Sequence, residues 1–570
     1  MIAPKPNSIV EPFLSRAETS PDSLAVILIG EDNSEQAITI GDLASEASHI
    51  ANNLSAKEVA PETLVLIVLP HSRELVSSIW GCFLAGAVPA IFTYPSPTVS
   101  AETYHLRVKT MVEQSKAQIV LTTNTLAASL TKVLEPLNCK AIVVANHPAA
   151  ALQSSQPRHE TRGGLDKTAL IQYSSGSTGA RKGVMLSHAA LLNYAESINQ
   201  TYMFQPDDIF VNWLPLYHDL GLILSFLHPI LKGYPTILIS PFHWVIDPGI
   251  LFMVISKHKG SITWMPNFAF RHCLGVIQDQ DLKQIDLSSI RVIGNGGEPA
   301  DIESMQAFQE RYQPFGLRRE AMTIGYGLAE NTLGISSTFR TGWPKIDWVD
   351  QHQLQINMQA VPLPPHAPNA KPIVSCGIPH ASVEIKIIDP EKNTLPDRAV
   401  GEILTRSSFM FSGYYQQPGL TDEVLQDGWL ATGDLGYLAD GEIYVCGRIK
   451  DLIIYGGHNI YPQDIEAIVN TSPEVRPGRC AAFGIKDNNT GTELIVVVAE
   501  LKAPLSAAQH GQVVLNLRRQ VLSQLDCNLS VVRLLDERDW IIKTPSGKIA
   551  RSANKEKYLK LFGSAQSTGE

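Results

Sequence analysis

Apolar runs of three to six residues punctuate the first 330 positions, and between them lie stretches with apolar residues at helical spacing. Segments 64–69 (LVLIVL), 117–121 (AQIVL), 141–144 (AIVV) and 169–171 (ALI) read as buried strands, because a strand covered on both faces has no solvent-facing alternate positions. Segments 73–87 and 101–116 read as helices. Strands that alternate with helices predict an α/β fold with largely parallel sheets, whose ligands gather beyond the carboxyl ends of the strands. The longest apolar stretch, 79–92, contains Gly and Pro and falls short of a bilayer's thickness. It predicts a buried helix running into a strand, with no stable membrane insertion.

The pattern changes after Gly325. Residues 343–372 are rich in Pro, Gln, Asn and His and carry little periodicity. A loop of that length in a compact domain is usually functional or mobile. Short strand-like runs follow at 383–388 and 401–405, and the segment 447–457 (GRIKDLIIYGG) reads as a boundary. Helical and strand patterns of their own mark the rest as a small α+β domain. The expected division is a large domain over 1–449 and a small one over 450–570.

Composition narrows the function classes. The chain has 570 residues, 44% hydrophobic and 18% charged, and a net charge of -10 from 46 Lys+Arg and 56 Asp+Glu. That balance suits a protein with a large core and argues against nucleic acid as the main partner. The 7 cysteines are scattered and never form CxxC, so they read as reduced thiols and not as a disulfide frame or zinc site. The opening residues lack a basic segment followed by an apolar run, so no signal peptide is expected and the expected location is cytoplasmic.

The chemistry concentrates first in residues 173–188, YSSGSTGARKGVMLSH. This reads as a strand, a flexible loop, then a helix opening at Ser187. Glycines let backbone N–H groups close around an anion, the hydroxyls add donors, and Lys182 adds charge. A nucleotide triphosphate suits such a loop; a plain Gly/Ser linker is the rival reading. It is not a Walker loop, since Gly183 follows Lys182 where Ser or Thr belongs. Further along, WLPLYHDLG holds His218, which either lines a cleft or is structural. GNGGEP brings Gly296, Gly297 and Glu298 to a strand end, or is a simple turn. GYGLAE offers the Tyr326 ring, Gly327 and the Glu330 carboxylate, the last able to hold Mg²⁺ near phosphates. Asp434 in ATGDLGY suits bidentate bonding to a ribose diol or a type I turn, and Arg448 and Lys450 add cations. Lys548 lies on a Pro/Ser/Gly loop near the C-terminus, either solvated or carried into a cleft by domain movement.

Seven motifs, YSSGSTGARKG, LPLYHDLG, NGGEP, GYGLAE, TGD, GRIKDLIIYGG and PSGK, occur in this order at domain-scale spacing. The chain thereby resembles the adenylate-forming superfamily of acyl-CoA synthetases, firefly-type luciferases and peptide-synthetase adenylation domains, from about residue 10 to 555. The resemblance implies a large N-terminal domain and a small mobile C-terminal one. It implies that Ser174, Ser175, Gly176, Ser177, Thr178, Gly179 and Lys182 cradle the phosphates of ATP, with Thr178 near the β/γ end and beside the metal. It also implies that Tyr326 stacks on adenine against Gly297, that Glu330 places Mg²⁺, and that Asp434 and Arg448 hold the ribose. Lys450 matches the hinge, and Lys548 matches the lysine that bridges carboxylate and α-phosphate. One departure is Arg181, where the family commonly has proline.

Within the superfamily the wording LPLYHDLGLI, NFAF, NGGEP, GYGLAENTL and VSCGIP is similar to the fatty acyl-AMP ligases. Amino-acid-activating members commonly place a Phe-Asp pair where this chain has Tyr217-His218. About fifty residues separate Gly325 from Cys376, a longer run than in acyl-CoA ligases, and the extra segment, roughly 339–373, matches the insertion of the acyl-AMP ligases. The resemblance implies a fatty acid substrate and a separate acyl carrier protein as acceptor, with acyl-CoA or aryl-CoA ligation as the rival. A relative that only binds nucleotide is a further rival, disfavoured by the joint presence of Thr178, Lys182, Glu330, Asp434 and Lys548. Trp213, Phe226, Met265 and Phe268 are candidates for an acyl tunnel, or plain core packing.

Overall fold

The computed structural model describes residues 6–96, 99–144, 164–174, 182–486, 493–544 and 547–562. Two sheets form the frame of the N-terminal part. One has nine strands. Its centre, strands 24–29, 236–239, 210–212, 262–264, 292–296 and 322–327, pairs parallel throughout, and antiparallel strands close both edges. The other has four parallel strands, including Leu64–Val68, Ile119–Thr122 and Lys140–Val143. These strands are nearly all apolar because helices cover them. Arg73–Leu84 runs into the strand Val88–Ile91 through Gly86 at φ +70, which resolves the long apolar stretch as a helix and a strand. Ser72, Ser100 and Ser187 cap their helices by accepting a backbone N–H three residues on.

Three features depart from the sequence pattern. Residues Lys182–Ser187 form a strand antiparallel to Thr168–Ser174, where the sequence pattern puts the end of a loop that leads into the helix. A five-stranded antiparallel sheet, which includes Val383–Ile388, Gly401–Ser407 and Trp429–Ala439, adds a second architecture to the N-terminal part. The insertion is ordered: Ile346–Asp350 pairs with Ala370–Val374, and a helix spans Gln351–Ile356. Val349, Leu354, Ala360 and Ile373 bury against Leu435, Tyr437 and Tyr444. Four buried apolar side chains at irregular spacing suffice for a core of this size, so the insertion lacks a periodic signature.

The C-terminal segment has its own apolar core. The strands Val475–Lys486, Glu493–Leu501 and Val531–Leu535 form one sheet, packed by Pro462–Asn470 and Ala507–Leu525 on one side and by Arg551–Phe562 with Trp540 on the other.

Candidate active site

The carboxyl ends of the parallel strands converge with the antiparallel sheet. Asp434 and Arg448 face each other across the pair Trp429–Ala439 and Glu442–Arg448. Arg448 Nε donates to Asp434 Oδ1 at 3.1 Å, and the hydroxyl of Tyr326, at the end of Met322–Gly327, donates to Oδ2 at 2.8 Å. Asp434 is 7% exposed, yet each carboxylate oxygen keeps a lone pair for a further donor. A vicinal diol is the donor pair this geometry suits. Asp434, with Asp451, holds the Arg448 guanidinium above its ordinary value against the effect of burial. Burial first, then the Asp434 charge, pushes the Tyr326 phenol well above its usual range, so it stays a donor.

The glycines divide into two kinds. A Cβ at Gly294 would lie 2.3 Å from the Trp264 ring, so that glycine makes room for an indole beneath the sheet. Gly296 and Gly325 pair across adjacent strands. Gly297, at φ +95, turns the chain off the strand end, and a Cβ there would stand 3.4 Å from Lys548 Nζ. Gly327 tolerates no side chain: a Cβ would come within 1.8 Å of the Leu333 carbonyl oxygen.

Glu330 lies in the short helix Ala329–Asn331 and accepts the Tyr414 hydroxyl at 2.7 Å through Oε1. Tyr414 pairs in register with Val184 of the hairpin, and Lys182 Nζ rests 4.6 Å from the Tyr414 ring centroid. This tyrosine ties the hairpin that carries the Ser/Gly loop to the acidic residue. Ser174 ends one hairpin strand opposite Lys182. Ser175, Gly176, Ser177, Thr178 and Gly179 lie outside the described residues. Among the described residues no group of three or more His, Cys, Asp or Glu could hold a metal.

Lys548 enters from the C-terminal segment. Thr544 N donates to its carbonyl at 2.8 Å, and Gly547 N donates to Thr544 O at 2.8 Å, which closes a tight turn. Burial lowers the Lys548 ammonium; Asp219 and Glu298 attract it and Arg448 repels it. Burial works to raise the Asp219 carboxyl, but His218, Lys548 and the Leu220 N–H together hold it below its ordinary value. His218 Nδ1 stands 2.7 Å from Asp219 Oδ1, and Leu220 N donates to the same oxygen at 2.8 Å. Burial pushes the Glu298 carboxyl up, against the pull of Lys548 and Lys543. Lys450 sits in the short helical turn Ile449–Asp451.

Of the tunnel candidates, Trp213, Phe226 and Met265 are at most 2% exposed within the main core. Trp213 stacks on Trp244 at 3.6 Å. Phe268 differs: it is 43% exposed, edge-on to both indoles, and a Cβ on Gly547 would lie 3.9 Å from its ring. Sequence reasoning missed Asp219, Tyr414 and Trp244. Asp219 stood beside His218 in the motif and had a signal; Tyr414, distant from Glu330 in sequence, had none.

The AMP-binding enzyme family model matches residues 13–415. The medium-chain-fatty-acid–acyl-carrier-protein ligase JamA of Moorena producens (strain JHB) is 32% identical over 91% of this chain and 89% of its own. The long-chain-fatty-acid–AMP ligase FadD26 of Mycobacterium bovis is 31% identical over 95% and 96%. Among solved structures, one from work on the fatty acyl-adenylate ligases of E. coli and L. pneumophila superposes with a TM-score of 0.88 at 26% identity, covering 98% of this chain and 99% of that one. The L. pneumophila fatty acyl-adenylate ligase in complex with acyl adenylate and pyrophosphate gives a TM-score of 0.73 at 30% identity, covering 97% and 96%. The chain therefore belongs to the AMP-binding enzyme family, on the branch of the fatty acyl-AMP ligases.

Proposed function

We propose that the protein joins a fatty acid to AMP at the expense of ATP and passes the acyl group to the phosphopantetheine thiol of a separate acyl carrier protein. The observation that carries this reading is the delivery of Lys548 from the C-terminal segment to Gly297 and Asp219, within the electrostatic reach of the Asp434–Arg448 pair. In the first step a carboxylate oxygen attacks the α-phosphorus, the bond to the bridging oxygen breaks, and pyrophosphate leaves with the electron pair. Two anions must meet, so a cation between them stabilises the charge as it develops. Lys548 is that cation, and Asp434 and Arg448 fix the ribose. His218, held by Asp219, borders the acyl carboxylate. In the second step the thiol sulfur attacks the acyl carbon, AMP departs, and the thiol proton is released.

Tyr326 offers its ring face to adenine, and the Ser174–Lys182 hairpin tip takes the phosphates. Mg²⁺ would be held by Glu330, with Thr178 as a second oxygen, and would neutralise phosphate charge. Oε2 of Glu330 remains for it, and one carboxylate plus phosphate oxygens is the usual Mg²⁺ environment. The acyl chain runs past Phe268 toward Trp213, Phe226 and Met265. The seven cysteines are free thiols, which supports a cytoplasmic location. No helix among the described residues is long and apolar enough to cross a membrane. Release of pyrophosphate from ATP on addition of a fatty acid tests the reading; no fatty acid giving release would sink it.

The C-terminal unit, 450–570, swings about Lys450 between the two steps, and the insertion at 339–373 restrains the swing that admits CoA. Supporting this, Lys371 pairs with Asp464 at 2.5 Å and lies 4.4 Å over the Tyr461 ring, while Gln351 Nε2 donates to Gln524 O and Asn459 Nδ2 to Gln355 O, both at 3.0 Å. Replacing Lys371 and Asp464 together by alanine removes both charges and leaves neither stranded. Acyl-CoA formation is expected to rise roughly fivefold, the equivalent of about 1 kcal/mol of restraint. An unchanged CoA product yield in the folded variant would count against the restraint.

The pH profile offers a further check. Because burial lowers the Lys548 ammonium, the required charge is present at neutral pH and is lost as pH rises through a value below that of an ordinary lysine. The alkaline limb of kcat/KM for adenylation, which reports the free enzyme, is expected below the lysine range. In Lys548→Arg it is expected to vanish from the accessible range. A limb that stays put in that variant would assign it to another group.

A further inference from the structure

Arg551 lies three residues beyond Lys548, at the start of the helix Arg551–Phe562. Its guanidinium grips Glu466 with two bonds, Nε to Oε1 at 2.8 Å and Nη2 to Oε2 at 2.6 Å, and reaches Asp451 Oδ2 through Nη1 at 3.0 Å. Asp451 immediately follows Lys450 and ends the turn Ile449–Asp451. Glu466 is itself fixed, since its Oε1 also accepts the backbone N–H of Ala482 at 3.0 Å. All three side chains are at most 20% exposed. On the other side of Lys548 the turn is closed by buried Asn554, which accepts from Ile542 N and donates to Ile542 O, both at 2.8 Å. Arg551 thus joins the helix that follows the Lys548 turn to the segment that carries Lys450, and it does so with a planar fork whose geometry lysine cannot reproduce.

We propose that Arg551 is a positioning residue for adenylation: through Asp451 and Glu466 it fixes the Lys548 turn to the hinge, so that rotation there brings Lys548 Nζ to Gly297 and Asp219 in register. This rests on the reading that Lys548 serves the adenylating step. Arg551 touches no reacting atom. Without it the C-terminal sheet persists, held by its own apolar cores, while the Lys548 turn gains freedom relative to the hinge. Small displacements of a charge-stabilising group cost much in rate, because the benefit depends on placement before the reaction begins.

The test is a double-mutant cycle on the full-length chain, read as the rate of the first acyl-adenylate turnover at saturating ATP and fatty acid, with the ATP dissociation constant measured alongside. Arg551→Ala is expected to slow that turnover about tenfold in the intact enzyme, to leave ATP affinity within a factor of about two, and to slow the Lys548→Ala enzyme by less than about twofold. Asp451→Asn, which keeps the Glu466 grip, is expected to reproduce the pattern more weakly. It also serves if Arg551→Ala fails to fold. Arg551→Lys is expected to recover little. An equal proportional loss in both backgrounds, or a loss confined to ATP affinity, would make Arg551 a structural residue and overturn the proposal. If Lys548→Ala alone keeps its rate, the underlying functional reading fails first, and the cycle separates the two cases.

Discussion

Lys548→Ala is expected to slow acyl-adenylate formation roughly a hundredfold or more and to leave ATP binding nearly unchanged. Loss of one preorganised donor at a developing charge typically costs about 3 kcal/mol, and here the donor is a full cation partly shielded from water. ATP affinity should survive because Asp434 and Arg448, the residues proposed to hold the ribose, are fixed by their own strand pair and do not depend on the Lys548 turn. Removing the ammonium also leaves Asp219 and Glu298 with one attracting charge fewer, which repels an incoming carboxylate. Single-turnover kinetics with equilibrium ATP binding checks both halves. A variant that adenylates at the normal rate would remove Lys548 from the chemistry, and one that loses ATP binding instead would make it a nucleotide anchor.

The second large effect is expected at Asp434. Asp434→Ala should weaken ATP binding about a hundredfold or more, since hydrogen bonds to a charged acceptor are worth roughly 1.5–3 kcal/mol each and, on the proposed role, two ribose hydroxyls lose theirs. It also removes the acceptor at 2.8 Å from the Tyr326 hydroxyl and the largest attraction on Arg448, so the melting temperature should fall as well. Asp434→Asn keeps one acceptor oxygen and should fall between. The readout is the ATP dissociation constant against the maximal rate: a fall in rate at saturating ATP with affinity intact would place Asp434 in the reacting centre instead of on the ribose.

Much of the architecture was legible because it is local. Doubly covered strands such as Leu64–Val68 need apolar residues at every position, and the capping serines stand where the periodicity changes. The hairpin strand Lys182–Ser187 was not legible: its Gly/Ser-rich N-terminal flank and short length give it the composition of a loop, and only pairing with Thr168–Ser174 and Gly413–Tyr414 makes it a strand. The insertion was legible as an interruption, but its two-stranded sheet was hidden because its core is completed by Leu435, Tyr437 and Tyr444 from elsewhere in the chain. At the site, Asp434, Arg448 and Tyr326 were each named from motifs, and the structure adds that one carboxylate joins all three. Tyr414 could not be named, since it has no motif of its own and acts by bridging Lys182 to Glu330 across the fold. Arg551 had a position beside Lys548 but no signal of purpose, because Asp451 and Glu466 become its neighbours only when the C-terminal segment folds.

The most direct test of the account is the identity of the product. The purified protein is mixed with ATP, Mg²⁺, a panel of fatty acids and CoA, and the products are resolved by mass spectrometry. Acyl-AMP that accumulates without acyl-CoA is the predicted result, and it directs the search to a carrier protein. Efficient acyl-CoA formation at the expense of acyl-AMP would contradict the account, and it would reduce the contacts of the insertion with the C-terminal segment to packing.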